Sequence, residues 1–373
     1  MNKILIICDV FTKDFLENKL FNESYISNFP GSAFWPLVHD FCLQKKWVLL
    51  TSDIFLSQEQ EYHQYKKYII SEMYTPTTDI LIEKGAIPLI LFSQESPNVA
   101  LHFHKNIYAY TGKYKHSILF GGLKQYVHPS TVFHALYWPN NLKNKVTNSS
   151  GNWSEKELLV MVASNKRRFD VALDRPFVFW RRLIKKMYVS YIKTTNSLFR
   201  FEDLYDKRIK AILHFSNVKG FALFGTLWNE ANGLNQKYFE AVKKLDPVKV
   251  DDKHATLANY KFNLCFENCV FPGYVTEKIF DCLLAGTIPV YFGAPDIEKY
   301  LPNGCFLNYR DYNSFPALQK ALEGMTAEEA NSYLESGKQF LQSNEFNKFT
   351  ITHFAGLIND ILEKEIMLQV RNI

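Results

Sequence analysis

The sequence lacks most of the short motifs that define common enzyme classes. It has no Asp-x-Asp pair, no glycine-rich phosphate loop and no Cys-x-x-Cys pair among its six cysteines. These absences argue against zinc-ribbon, P-loop and dinucleotide-binding proteins. No apolar run approaches the roughly 18 residues that a membrane-spanning helix needs, and Ile4–Cys8 is too short for a signal peptide. We therefore predict a cytoplasmic protein with buried, reduced thiols.

An excess of one charge is also missing. The net charge is only +5, which suits an anionic substrate but does not indicate a nucleic-acid partner. One segment, Arg175–Arg200, interleaves basic and aromatic residues within a longer insertion, Asp170–Arg200. It predicts either a peripheral contact with the inner face of the membrane or an ordinary solvated surface, and both interpretations stay open.

Short apolar strands alternate with helices in both halves of the chain. Strands of this kind are typical of parallel sheets covered by helices on both faces. The stretch Pro139–Ser154 is rich in Asn, Ser and Lys and predicts a linker. We therefore predict an α/β fold with two Rossmann-like doubly wound domains facing a cleft. The predicted strands are Lys3–Val10, Lys46–Ser52, Ala86–Phe92, Leu158–Ala163, Phe221–Phe224, Phe262–Phe266 and Thr287–Tyr291.

The segment Tyr260–Pro295 has the densest pattern and predicts strand, loop, helix and strand in that order. Its helix begins near the run Gly273-Tyr-Val-Thr-Glu-Lys278. A helix N-terminus offers unpaired N–H groups to a phosphate, and Lys278 would add a positive charge. Glu277 would accept hydrogen bonds from ribose hydroxyls. The alternative is that Thr276 and Glu277 only cap the helix and that Lys278 is a surface charge.

The motifs FNLCFEN, GYVTEKIFD and TIPVYFGAP follow one another in that order within the segment Tyr260–Pro295. Together they resemble the signature of the α1,3/4-fucosyltransferase family, and the likeness extends over about residues 156–315. The resemblance implies an inverting, bacterial-type, GT-B glycosyltransferase that uses GDP-fucose. It also implies an acceptor-binding domain at 1–155, a GDP-sugar-binding domain at 156–345 and a last helix, within 346–373, that crosses back to the first domain.

The resemblance also assigns the donor-binding residues. It places Glu277 at the ribose, Lys278 and Arg208 at the diphosphate, and Asn268 and Tyr274 near the nucleotide. A guanidinium such as that of Arg208 can hold two phosphate oxygens at once. The alternative for Arg208 is a charge on a helix surface, and the preceding insertion makes its alignment with the family less secure.

Glu95 is the predicted catalytic base. It follows the predicted strand Ala86–Phe92, in the run Phe-Ser-Gln-Glu-Ser-Pro97. Residues just past the carboxyl end of a strand in an α/β sheet face the cleft in which ligands bind. The resemblance to the fucosyltransferase family supports this choice, because the general base of that family looks like a Glu in a comparable Glu-Ser-Pro context. The alternative is a loop carboxylate that caps a turn. His102 and His104 would lie on one side of an extended segment, but no acidic residues complete a ligand set, so we predict no metal site.

These inferences predict transfer of fucose from GDP-fucose to a hydroxyl of an N-acetylglucosamine-containing oligosaccharide or glycolipid. An α1,3 linkage and a single inverting displacement are expected. No cofactor is required, because lysine and arginine would stabilise the leaving diphosphate, although a stimulatory divalent metal stays open. The alternatives are a transferase of the same fold with another nucleotide sugar, and a non-catalytic protein that binds nucleotide sugars or glycans.

Overall fold

The computed structural model describes residues 3–141, 152–165, 187, 190–228 and 236–371. The chain forms two compact units, with residues 1–142 and 346–373 in unit 1 and residues 143–345 in unit 2. Most of the predicted membrane segment and residues 142–151 of the predicted linker lie outside the described residues. Among those described, no helix has the length and apolar character needed to cross a membrane.

Unit 1 contains a parallel sheet whose strands lie in the order β2-β1-β3-β4-β5-β6. Every side chain of β1 is buried, as expected for a central strand covered on both faces. The chain leaves β1 towards β2 on one side and later returns to add β3 on the other, which creates a topological switch point between β1 and β3. The strands are β1 Ile4–Asp9, β2 Val48–Thr51, β3 Lys66–Glu72, β4 Ile87–Phe92, β5 His116–Leu119 and β6 Val132–Ala135.

Short helices connect these strands. The best capped of them begins after Thr75, whose hydroxyl accepts the N–H of Thr77, and has Pro76 in its first turn. The helices are α1 Glu23–Ile26, α2 Trp35–Gln44, α3 Ser52–Ser57, α4 Pro76–Glu83, α5 Leu101–Lys105 and α6 Ile107–Thr111.

Unit 2 repeats this plan with a second parallel sheet, in the order β11-β10-β9-β7-β8. When β7 to β11 are numbered 1 to 5, the strand order read from the β8 edge is 2-1-3-4-5, as for the first five strands of unit 1. The switch point of this sheet lies between β7 and β9. The prediction of two doubly wound α/β domains is thus confirmed. The strands are β7 Glu157–Val162, β8 Phe221–Phe224, β9 Tyr260–Phe266, β10 Ile288–Phe292 and β11 Leu307–Asn308.

The helices of unit 2 pack their apolar stripes on this sheet. In the helix Glu277–Ala285, Ile279, Phe280 and Leu284 are buried, and Gly286 ends the helix in the left-handed conformation, with φ of 64°. Burial of each large apolar side chain contributes about 1.5–3 kcal/mol. The helices are α7 Tyr205–Phe215, α8 Gln236–Leu245, α9 Lys253–Ala258, α10 Glu277–Ala285, α11 Phe315–Gly324 and α12 Ala327–Leu341.

The last two helices, α13 Asn344–Asn347 and α14 Ile351–Arg371, end the described chain. Helix α14 packs in unit 1, where the ring of Phe354 lies 4.6 Å from that of Phe34 and 5.7 Å from that of Phe92. The buried Glu365 of the same helix pairs with Lys115 and His116 of unit 1. Apolar burial and the contacts of Glu365 with Lys115 and His116 therefore attach the C-terminal helix to the first sheet.

Candidate active site

The first group of predicted site residues meets where β9 ends and α10 begins. Glu267 directly follows β9 and is fully buried. Its Oε1 accepts the backbone N–H of Thr276 at 2.9 Å, and the Thr276 hydroxyl donates to Oε2 at 2.9 Å. The ammonium of Lys278 lies 2.9 Å from the same Oε2 and 2.8 Å from Thr276 Oγ1. A buried carboxylate thus holds both the first turn of the helix and its lysine.

This geometry contradicts the capping alternative for Thr276. The Thr276 hydroxyl makes no cap hydrogen bond, because it is turned towards Glu267. Lys278 is not a free surface charge either, since its side chain is only 20% exposed and ion-paired. Burial acts to lower the pKa of Lys278, but the charges of Glu267 and Glu277 outweigh burial and raise that pKa. The lysine therefore stays positive at neutral pH.

Glu277 lies at the first position of α10, beside Lys278, with 3.7 Å between its Oε1 and the lysine Nζ. Burial alone would raise the pKa of Glu277, but the positive charges of Lys278 and Lys253 lower it below its ordinary value. Lys253 is itself paired with Asp281 on the next turn of α10. Glu277 is therefore ionised at neutral pH and can accept hydrogen bonds from a ligand.

Arg208, Asn268 and Tyr274 form a second, connected group. Arg208 is 4% exposed, which contradicts the helix-surface alternative. Its Nη2 donates to the Phe266 carbonyl at 2.6 Å and to Asn268 Oδ1 at 3.1 Å. Asn268 Nδ2 donates in turn to the hydroxyl of Tyr274 at 3.1 Å. Arg208 also lies close enough to Lys278 to act against the rise in the pKa of that lysine. The five predicted donor-binding residues thus share the carboxyl edge of one sheet.

Sequence reasoning missed Glu267, although it stands inside the quoted FNLCFEN motif. The available signal was a carboxylate directly after a buried strand, which is the same argument that selected Glu95. A second missed feature is Gly293, where an added Cβ would lie 2.5 Å from Glu267 Cγ and 2.5 Å from the Tyr291 hydroxyl. Only glycine fits there, because any side chain would displace the buried carboxylate.

Glu95 lies in unit 1, in the loop after β4. Its backbone N–H donates to Ser93 Oγ at 3.2 Å, and its side chain is partly exposed. The preceding Gln94 anchors the loop by donating to the Gly31 carbonyl at 2.7 Å. Burial first, and the charge of Glu95 second, raise the pKa of Glu72 at the end of the adjacent strand β3. The loop therefore presents one partly exposed carboxylate, and the neighbouring strand β3 ends in another glutamate, whose Oε2 is shut off from solvent.

The histidine prediction needs correction. His102 and His104 belong to the helix Leu101–Lys105, not to an extended segment, because Phe103 packs inward at helical spacing. His104 is buried, its Nδ1–H donates to the Ala100 carbonyl at 2.9 Å, and burial lowers its pKa to about 4. Within the described residues, no group of three or more His, Cys, Asp or Glu side chains could hold a metal ion.

One protein-family model matches part of the chain, mainly in unit 2. Residues 215–350 match the model for the C-terminal part of glycosyltransferase family 10, the fucosyltransferases. That range contains Asn268, Tyr274, Glu277 and Lys278, but not Arg208. The match supports the fucosyltransferase resemblance for this part of the chain.

Two curated relatives are similar over short stretches. An alpha-(1,3)-fucosyltransferase of Helicobacter pylori is 36% identical over 109 residues, which are 26% of this chain and 23% of that protein. A GDP-fucose protein O-fucosyltransferase 3 of Xenopus tropicalis is 50% identical over 60 residues, which are 16% of this chain and 13% of that protein. The chain thus spans less than a quarter of the length of either relative.

A solved structure shares the whole fold. The crystal structure of an alpha1,3-fucosyltransferase matches with a TM-score of 0.52 at 17% identity, over 97% of this chain and 91% of that one. At this identity the likeness concerns the fold alone, and it agrees with two Rossmann-like domains.

Proposed function

We propose that this chain is an inverting glycosyltransferase that moves fucose from GDP-fucose to a hydroxyl of an N-acetylglucosamine-containing glycan, with an α1,3 linkage. The observation that carries the proposal is the Lys278 ammonium, positive and held by Glu267 and Thr276 at the first turn of α10. The family match and the relative from Helicobacter pylori support fucose and the linkage.

The donor diphosphate would lie at the start of α10. There the helix N-terminus, Lys278 and Arg208 meet the negative charge that grows as the sugar departs. The Lys278 ammonium would turn part of its hydrogen bonding from Glu267 to the diphosphate. Thr276 would keep its hydrogen bonds to Glu267 meanwhile. Ionised Glu277 would accept hydrogen bonds from the ribose hydroxyls. Cations of the protein would thus stabilise the leaving group without a required metal or cofactor.

Glu95 would act as the general base. Its carboxylate would take the proton of the acceptor hydroxyl while that oxygen attacks the anomeric carbon. The anomeric C–O bond breaks in the same step, and its electron pair leaves with the diphosphate. Such assistance by a base is worth about 10²–10⁴ in rate.

Two measurements test this function. Purified protein is incubated with GDP-fucose and acceptors that include N-acetyllactosamine, with and without a chelator, and transfer is followed by mass spectrometry. Because the Xenopus relative bears the name of a protein O-fucosyltransferase, the panel includes peptides. We expect transfer to N-acetyllactosamine that survives the chelator. If fucose is transferred from GDP-fucose to none of the acceptors, the proposed fucosyltransferase activity is rejected.

A thermal-shift panel of GDP, UDP and dTDP sugars separates the alternatives. Stabilisation by a UDP sugar but not by GDP-fucose would favour a transferase of the same fold with another donor. Stabilisation by GDP-fucose without turnover or hydrolysis would favour a non-catalytic binding protein. The membrane contact of residues 175–200 remains a prediction, and co-sedimentation with anionic liposomes tests it.

A further inference from the structure

A second carboxyl group accompanies Glu95 in unit 1. Glu72 is the last residue of β3, and its Cα pairs in register with that of Phe92, the last residue of β4. The loop that carries Glu95 starts directly after Phe92. Two carboxyl groups therefore lie at neighbouring strand ends, beside the switch point between β1 and β3.

The surroundings of Glu72 are unusual for a carboxylate. Its Oε2 is shut off from solvent and has no hydrogen-bond partner among the described residues. An ionised oxygen in that position would be costly, because it loses hydration without gaining a donor. The next residue, Met73, has φ of 63°, in the left-handed region that favours glycine, and its N–H donates to the Phe92 carbonyl. A strained backbone residue thus fixes the end of β3 against the loop that carries Glu95.

The other nearby ionisable groups do not neutralise Glu72. Asp9, at the end of β1, is buried and accepts hydrogen bonds from the hydroxyls of Thr75 and Thr78. The hydroxyl of Tyr114 is hydrogen-bonded to Ser71. The charge that acts on Glu72 is that of Glu95. Burial first, and that charge second, raise the pKa of Glu72 to about 7.

We propose that Glu72 is a positioning residue for Glu95: it keeps the proton of a two-carboxyl pair, so that Glu95 is the ionised member that receives the proton of the acceptor hydroxyl. The role as base rests on the proposed function, whereas the sharing of one proton does not. Because the charge of Glu95 acts on Glu72, ionising both carboxyl groups costs more than ionising one, and the carboxyl whose Oε2 is shut off from solvent stays neutral. When Glu72 does ionise, its charge makes Glu95 a stronger base.

Infrared spectroscopy tests the pair without any substrate. The wild-type protein should show the carbonyl band of a protonated carboxylic acid that disappears with a midpoint near pH 7. Glu72→Gln should remove that band. Glu95→Gln should keep it but move its midpoint to lower pH, since burial still acts on Glu72. Glu61→Gln, at an exposed glutamate of unit 1, should leave it unchanged. A wild-type protein without the band, or a Glu72→Gln variant that keeps it, would overturn the proposal.

The pH dependence of kcat/KM tests the link to transfer. The wild type should show a rise of about threefold or more through a step near pH 7, as Glu95 becomes a stronger base. Glu72→Gln should lack this step, which a merely structural role would not predict, and identical profiles would refute the positioning role. If no variant transfers fucose, the proposed function fails, while the infrared result still decides whether the pair shares a proton.

Discussion

The third strand of each unit leads into a glutamate at a sheet edge, and the two glutamates have opposite surroundings. In unit 2, Glu267 follows β9 and accepts hydrogen bonds from Thr276 and from the ammonium of Lys278. In unit 1, Glu72 ends β3 with an unpartnered oxygen, within the described residues, and with Glu95 as its charged neighbour. The same strand order therefore builds an edge with an ion-paired glutamate in one unit and an edge with two neighbouring glutamates in the other.

The difference comes from the segments that follow the strands. After β9 the chain supplies a helix start and a lysine within eleven residues of Glu267, so the charge is balanced locally. After β3 the chain supplies the strained Met73 and a helix whose cap serves Asp9. A lysine held at a helix start suits a leaving diphosphate, and a carboxylate after a strand end suits the removal of a proton. The following predictions test that contrast.

The largest expected effect is on turnover. Glu95→Gln should lower kcat by about 10²–10⁴ because it removes the base, and it should leave GDP affinity unchanged because Glu95 lies in unit 1. Steady-state kinetics and calorimetry with GDP measure the two quantities. The exposed Glu61→Gln serves as the control, and near-normal turnover of Glu95→Gln would contradict the assignment.

Removing the ammonium of Lys278 should destabilise unit 2. Lys278→Met leaves the buried charge of Glu267 without its ammonium, which should cost about 3–5 kcal/mol in the free energy of unfolding. Urea denaturation measures this change, and calorimetry should show weaker GDP binding.

A double variant separates stability from binding. Glu267→Gln combined with Lys278→Met removes both charges and should recover most of the lost stability, but not the GDP affinity. Lys320→Met, at an exposed lysine of α11, is the matched control and should change neither. Full recovery of GDP affinity in the double variant would reject the role of Lys278.

A medium effect is expected on the pH dependence of stability. The pKa of Glu72 is about 7 in the fold, against an ordinary value of 4.5. The native state therefore binds this proton more tightly than the unfolded state, so stability falls as pH rises from 4.5 to about 7. Glu72→Gln stays neutral and should gain about 1–3 kcal/mol over the wild type across that window. A difference that does not vary with pH would contradict the raised pKa.

The smallest expected effect is on the free energy of unfolding, and it compares the two partners of the Asp296 carboxylate, Gly273 in the loop before α10 and Lys299. Asp296 Oδ1 accepts the N–H of Gly273 at 2.8 Å, whereas Lys299 is exposed and 3.8 Å from the same carboxylate group. Asp296→Ala should cost about 1 kcal/mol because a hydrogen bond to a loop residue is lost. Lys299→Ala should cost less than about 0.5 kcal/mol. Thermal or urea unfolding measures both, and equal effects would contradict the distinction.

The predicted strands agree with the structure to within a few residues, because short, nearly continuous apolar runs are typical of strands in parallel sheets covered by helices. Phe221–Phe224 is a strand with the predicted bounds. The prediction of an extended segment over His102 and His104 was wrong, because alternation across a few residues does not distinguish an extended chain from a short helix. Arg208 was predicted as a donor-binding residue, but its hydrogen bonds to the end of β9 depend on a strand 58 residues away.

The sequence by itself determined the two doubly wound domains and the residues near α10, because strand periodicity and a long motif are local properties. Only the tertiary structure decided which charges are balanced. Lys278 could be assigned to Glu267, and Glu72 to Glu95, only after strands and loops distant in the chain had been brought to one edge. The free energy of a buried charge depends on the groups around it, and sequence order does not specify those neighbours.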